Sequence, residues 1–244
     1  MRVGIIGYLG SNCDNDILEY FENSIYIRHK KDITTSGIVD INATGAGITL
    51  DAAGTSNFTT TSGTLTLDSA GGVNIIGKID LLVISGEFAY DIDPEKMEIA
   101  SSIKTLILEA VKNKILIFGI SNGFKVLIKL GLLPGEILMN LEKRYTLEKV
   151  KCILDKSFIS QNNDKQVELL IANKYGRYFI NSENYITLKN NNQIILTYSD
   201  ENWYNNGSVS NVAGVCDETH MIFGMMPHPE VTREQLIKEA FVKL

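Results

Sequence analysis

Only three cysteines, Cys13, Cys152 and Cys216, occur in the 244 residues. Their odd number, wide spacing and lack of a C-x-x-C pair suggest neither a disulfide framework nor a zinc site, and fit a reducing cytoplasm. Basic clusters are scarce too: 23 Lys and Arg stand against 29 Asp and Glu, the formal charge is -6, and nothing larger than His29-Lys30-Lys31 appears. That balance argues against nucleic acid as a partner. Long apolar runs are missing as well. The N-terminal run Val3-Gly4-Ile5-Ile6-Gly7 is too short for a signal-peptide core or a spanning helix, so no membrane role is expected. A hydrophobic fraction of 44% and a charged fraction of 21% describe an ordinary globular chain. The length suits one large α/β domain, or one domain plus an insertion.

What is present is organised around Ile115 to Lys125. An apolar β-rich run stops at Gly119, and an amphipathic helical run begins at Asn122. Between them Ser121 sits in a Gly-x-Ser-x-Gly frame, which reads as strand, tight turn and helix with a candidate nucleophile at the bend. Such a bend points the side chain toward the positive end of a helix.

Taken in order, Val3 to Tyr8 reads as a buried parallel strand, Gly10 to Asp14 as a turn, and the next segment as a helix with Ile17, Leu18 and Phe21 on one face. Ile25 to Arg28 is the second strand, completing the opening of a doubly wound fold whose ligands gather outside the carboxyl ends of the strands. From Thr34 to Ile76 the composition changes to Gly, Ala, Thr and Ser, and Ile48-Thr49-Leu50-Asp51-Ala52-Ala53-Gly54 returns as Leu65-Thr66-Leu67-Asp68-Ser69-Ala70-Gly71. Its apolar-polar alternation predicts a small β-rich insertion within the 1–244 domain; a flexible low-complexity segment is the other reading.

The α/β pattern resumes with a strand over Ile79–Ile84 and the turn Ser85-Gly86-Glu87-Phe88. A long helix is expected after Pro94, with Met97, Ala100, Ile103, Ile107, Ala110 and Val111 at helical spacing. The elbow helix turns Phe124, Leu127 and Ile128 inward, and Gly131 stops it. Past Leu133-Pro134-Gly135 the helical period fades. Strands are expected at Lys149–Leu154, Gln166–Ile171, Gln193–Tyr198, Asn211–Val215 and Met221–Met225, with a closing helix over Glu234–Val242. Asn190-Asn191-Asn192 and Asn205-Asn206-Gly207 mark turns.

A Gly-x-Ser-x-Gly elbow with a late histidine also fits an α/β-hydrolase, in which the acid lies between Ser and His in the chain. Here the attractive acid follows the histidine. In Met226-Pro227-His228-Pro229-Glu230 a base and a carboxylate stand two residues apart after a strand, so Glu230 can orient the His228 ring while the ring faces the elbow.

With these residues in view the chain resembles the class I glutamine amidotransferases, and among them the glutaminase subunits of phosphoribosylformylglycinamidine synthases. The resemblance rests on Gly10-Ser11-Asn12-Cys13-Asp14, Gly119-Ile120-Ser121-Asn122-Gly123-Phe124 and Gly131-Leu132-Leu133-Pro134-Gly135. It continues in Asn206-Gly207-Ser208, Asn211 to Cys216 and Gly224 to Glu230. It implies a flavodoxin-like α/β domain with a mostly parallel central sheet, acting in the cytoplasm on glutamine. It also implies ammonia transfer to a large synthase subunit, a further partner in the form of a small accessory subunit, and neither cofactor nor metal. By position it implies Ser121 as nucleophile, His228 as base and Glu230 as orienting acid, with Gly86, Glu87 and Asn122 at the oxyanion and substrate side.

The chain departs from that pattern in several places. The family nucleophile is cysteine, which a helix N-terminus and a neighbouring histidine turn readily into a thiolate; the Ser121 hydroxyl needs concerted proton removal. The family turn Gly-Gly-Phe-Ser-Tyr-Gly-Asp is here Gly86-Glu87-Phe88-Ala89-Tyr90-Asp91-Ile92, with a carboxylate where an oxyanion develops. The family run Ala-His-Gly-Glu-Gly-Arg-Tyr is here Ala172-Asn173-Lys174-Tyr175-Gly176-Arg177-Tyr178, and Val231 replaces an Arg. Three readings stay open: an impaired glutaminase, a catalytically silent subunit that keeps the fold, and a scaffold carrying residues 34–76 as an assembly element.

Overall fold

In a computed structural model of the chain, the described residues are 3–7, 14–21, 25–28, 79–86, 91–201 and 205–243. The expectations for the turn through Cys13, for Glu87 to Tyr90 and for the 34–76 insertion lie outside them. Eleven strands are described: β1 Val3–Gly7, β2 Ile25–Arg28, β3 Leu81–Ile84, β4 Leu116–Ile120, β5 Glu136–Met139, β6 Thr146–Leu154, β7 Lys165–Asn173, β8 Tyr175–Phe179, β9 Ile194–Tyr198, β10 Val212–Cys216 and β11 Ile222–Met225. Six α-helices are described with them: α1 Asp14–Tyr20, α2 Ser101–Lys112, α3 Asn122–Lys129, α4 Ser182–Asn190, α5 Pro229–Thr232 and α6 Gln235–Lys243.

Nine strands form one sheet in the order β2-β1-β3-β4-β11-β10-β9-β6-β7. The half from β2 to β11 is parallel, and β10, β9, β6 and β7 extend it antiparallel. The sequence explains the division. β3, β4 and β11 are apolar runs buried at every residue, as strands covered on both faces must be. β6 instead alternates buried and exposed residues over much of its length.

The period of two sorts side chains to opposite faces. Leu81, Val83, Phe118 and Ile120 join the core with Ile17, Phe21 and Phe241, whereas Leu82, Ile84 and Ile117 join the core with Ile103, Ile107 and Phe124. α1 and α6 therefore cover one face, and α2 and α3 the other. β5 and β8 make a separate antiparallel pair. Tyr178 of β8 stacks on Phe124 of α3 at 6.2 Å between ring centres and donates to the Pro134 carbonyl at 2.9 Å.

Two expectations are corrected here. The helix after Pro94 begins only at Ser101, because the Asp93 carboxylate accepts the Glu95 N–H at 3.1 Å and its carbonyl accepts the Lys96 N–H at 3.0 Å. That local turn takes amides which a longer helix would leave as its own unpaired first turn. Helix α4 stands where the helical period fades. It buries only Leu188, so it carries no apolar stripe, and is fixed instead by Asn181, whose side chain accepts the Asn184 N–H.

At the other elbow-helix end the expectation for Gly131 holds. Its φ of 72° follows α3, with the Gly131 N–H to the Ile128 carbonyl at 2.9 Å and the Leu132 N–H to the Leu127 carbonyl at 3.0 Å. These are the paired bonds of a Schellman ending.

The elbow glycines matter through space. A Cβ on Gly123 lies 2.1 Å from the Ile84 carbonyl oxygen, and one on Gly119 lies 2.7 Å from the Gly123 carbonyl. Gly123→Ala is expected to lower unfolding free energy by about 3 kcal/mol, since an overpacked methyl must push helix from strand. Urea unfolding measures it; a loss below about 0.5 kcal/mol, the scale of ordinary surface changes, contradicts the tight α3–β3 contact.

Candidate active site

Three neighbouring parallel strands deliver the site. β3, β4 and β11 lie side by side, and just past their carboxyl ends come Gly86, Ser121 and His228 respectively. Ser121 is held between the β4 ladder and α3: its N–H donates to the Met225 carbonyl at 2.8 Å, and its carbonyl accepts the Lys125 N–H at 3.2 Å. Its backbone has φ 54° and ψ −109°, a region that costs a non-glycine residue about 1–3 kcal/mol and marks functional turns. The side chain is 1% exposed, and its Oγ is a buried oxygen without a hydrogen-bond partner among the described residues. Strain and an orphaned hydroxyl on one residue need a functional explanation.

His228 is fully buried. Its N–H donates to the Leu170 carbonyl on β7 at 2.8 Å, and its Nδ1 lies 2.7 Å from Glu230 Oε1. An imidazole that donates its Nδ1 proton to a carboxylate keeps its lone pair on Nε2. Gly86 gives the spacing. A Cβ there lies 2.8 Å from Ser121 Cβ and 2.9 Å from His228 Cε1. Serine and histidine thus converge on one backbone position that has no room for a methyl group.

Glu230 is 1% exposed, and α5, which carries it, packs on α1. The Asp16 carboxyl is raised above its ordinary value, first by burial and then by the Glu230 and Glu19 charges. Burial and the same Glu230 charge also raise the Tyr20 hydroxyl. Asn122 is buried at the first position of α3, within the turn whose N–H groups have no intrahelical acceptor. Of the site residues expected from the sequence, Gly86, Ser121, Asn122, His228 and Glu230 meet at this edge; Glu87 lies outside the described residues.

Two buried polar groups lie at and just beyond the end of β7, and the sequence does not show how their members pair. Asn140 donates from Nδ2 to Asn173 Oδ1 at 3.0 Å and accepts the Gly176 N–H at 3.0 Å. Asn206 donates to the Gly176 carbonyl at 2.9 Å. Asp91 and Lys125 form a buried ion pair, with side chains 5% and 0% exposed. The only sequence hint for Lys125 is its place inside an apolar helix, between Phe124 and Val126. Burial lowers its amine below the ordinary value, against the Asp91 charge, which raises it.

The described cysteines sit in strands. Cys152 is buried in β6, and burial raises its thiol; the Cys216 thiol in β10 is pushed up to about 12 by burial and then by Asp217. Among the described residues no group of three or more His, Cys, Asp or Glu assembles as a metal site. No described helix is long and apolar enough to cross a membrane.

Residues 1–243 match the sequence pattern of the CobB/CobQ-like glutamine amidotransferase domain. The chain belongs to that family. Among curated members, the phosphoribosylformylglycinamidine synthase subunit PurQ of Wolinella succinogenes is 36% identical over 167 residues, 64% of this chain and 74% of the relative. The protein of the same name from Aquifex aeolicus is 32% identical over 174 residues, 66% of this chain and 77% of the relative. Among solved structures, PurLQS from Thermotoga maritima superposes with a TM-score of 0.66 at 24% identity, over 99% of this chain and 95% of that one. A glutamine amidotransferase from the same organism superposes with a TM-score of 0.50 at 15% identity, over 100% and 83%. The flavodoxin-like α/β architecture of this amidotransferase domain is thus the one its sequence implies.

Proposed function

We propose that this amidotransferase-family chain is the glutaminase-type subunit of a phosphoribosylformylglycinamidine synthase, releasing ammonia from glutamine for de novo purine biosynthesis in the cytoplasm. The observation that carries the reading is the meeting of Ser121 and His228 on Gly86, with Glu230 Oε1 within hydrogen-bond distance of the ring's Nδ1. Curated relatives bearing the synthase-subunit name support the pathway.

In this reading Ser121 Oγ attacks the side-chain amide carbon of glutamine while His228 Nε2 takes the hydroxyl proton. The tetrahedral intermediate collapses as His228 returns that proton to the leaving nitrogen, and the C–N bond breaks to give ammonia and a glutamyl ester on Ser121. Water, deprotonated by His228, then cleaves the ester to glutamate. Glu230 holds the ring and balances its charge. Gly86 and Asn122 lie on the oxyanion and substrate side, with no metal or cofactor in the scheme. The large synthase subunit receives the ammonia, and a small accessory subunit completes the assembly.

Serine in place of cysteine makes the reaction slow, and it favours a second reading, a silent subunit that serves the synthase by binding alone. Glutamate release from glutamine by the unmodified chain, with and without the large subunit, separates the two. Release that disappears in Ser121→Ala supports the glutaminase. Release indistinguishable from that of Ser121→Ala, with complex formation intact, supports the silent subunit.

A further inference from the structure

A closed ring of contacts surrounds Ser121 and His228, and its last link is an ion pair that the reaction itself does not use. From Ser121 the ring passes by its N–H to the Met225 carbonyl on β11, and β11 leads to His228. From His228 it passes by the backbone N–H to the Leu170 carbonyl on β7. β7 ends at Asn173, and the next two N–H groups, of Lys174 and Tyr175, both donate to Asp91 Oδ2, the second at 2.6 Å. Asp91 Oδ1 accepts from Lys125 Nζ, which also donates to the Ile92 carbonyl at 3.2 Å. Lys125 closes the circuit, since its N–H donates to the Ser121 carbonyl at 3.2 Å.

Register between β4 and β11 sets where Ser121 and His228 leave their strands, and the apolar face of α3 packs directly on β3, β4 and β11. The Lys125 side chain adds a polar tie from α3 to the chain just beyond β7. Lys125, one helical turn beyond the bend, is tied through Asp91 to the end of the strand that holds the His228 backbone. The link is costly to bury, because both charges leave water, and it repays that cost only with full geometry. Asp91 meets the demand with donors from two separate elements.

We propose that Asp91 and Lys125 are positioning residues for the glutaminase reaction, fixing α3 against the end of β7 and so setting the approach of residue 121 to the His228 ring. This rests on the function proposed above. A displacement near 1 Å between reacting groups can cost about 10²-fold in rate, and a site with no room for a methyl on Gly86 has little slack.

The test compares Asp91→Asn, Lys125→Met and the double variant. Each single change leaves a buried charge without its partner and is expected to lower the melting temperature; the double change removes both charges and is expected to recover most of it. In a Ser121→Cys chain with glutamine, the double variant is expected to keep kcat at least about tenfold low with KM within about twofold, as lost transition-state alignment requires. Recovery of kcat together with stability overturns the positioning role and leaves a structural pair.

A second readout needs no turnover. In the unmodified chain the Nδ1–H proton of His228, assigned with His228→Gln, is expected to shift or broaden in the double variant; an unchanged resonance overturns the proposal. A Ser121→Cys chain that releases no glutamate counts against the proposed function, while the resonance still decides the clamp.

Discussion

Ser121→Cys is expected to raise glutamate release by on the order of 10²-fold or more, because a thiolate removes the need for general-base proton transfer, a contribution of about 10²–10⁴. The setting favours a thiolate. Residue 121 precedes the first turn of α3, and its side chain meets His228 over Gly86, the two features that depress a cysteine pKa. Its backbone already holds φ 54°, so the exchange alters one atom and no dihedral. A serine here keeps its proton until His228 takes it, and the oxygen has no hydrogen bond among the described residues to prepare that transfer. Steady-state release, with Ser121→Ala as the blank, measures the gain. A cysteine variant no faster than the serine chain places the defect in other departures, Glu87 or Asn173, and turns the balance toward the silent subunit.

Glu230→Gln, made in the Ser121→Cys chain, is expected to lower kcat by on the order of 10³–10⁴-fold while changing KM little. Glu230 Oε1 is 2.7 Å from His228 Nδ1 and both side chains are fully buried, so no water substitutes for the carboxylate. An amide nitrogen donating to Nδ1 moves the ring proton to Nε2, the nitrogen that accepts from residue 121 in the proposed reaction. The negative charge that balances an imidazolium disappears as well. Rates at saturating glutamine, with urea unfolding to confirm the fold, give the answer. A loss of less than tenfold removes Glu230 from the catalytic set.

The elbow was legible because its chemistry is compressed into five residues: Gly119 and Gly123 allow the strand and helix to touch, and Ser121 is the polar side chain between the end of the strand and the start of the helix. His228 and Glu230 were legible for a similar reason, two residues apart after an apolar strand. Asp91 and Lys125 were not. They are 34 residues apart, and the place of Lys125 between Phe124 and Val126 is a weak hint that names no partner. The register that places Leu170 against His228 also depends on an antiparallel extension assembled from distant segments. Helix α4 escaped because periodicity detects a buried stripe, and a cap with one buried leucine has none. The late start of α2 escaped because Met97 is buried without being helical, so apolar spacing continues through a turn.

β7 is the last strand of the nine-stranded sheet, and a bare edge of that kind offers its amides and carbonyls to any other chain. Here the outer side of Leu170 is taken by the His228 N–H, and α5 packs along the same strand. Lys165, Gln166 and Glu168 stay exposed on it. The segment that carries His228 thus also covers part of this edge. A molecule in which residues 227–230 lift away is expected to displace His228 and to bare the edge in the same motion.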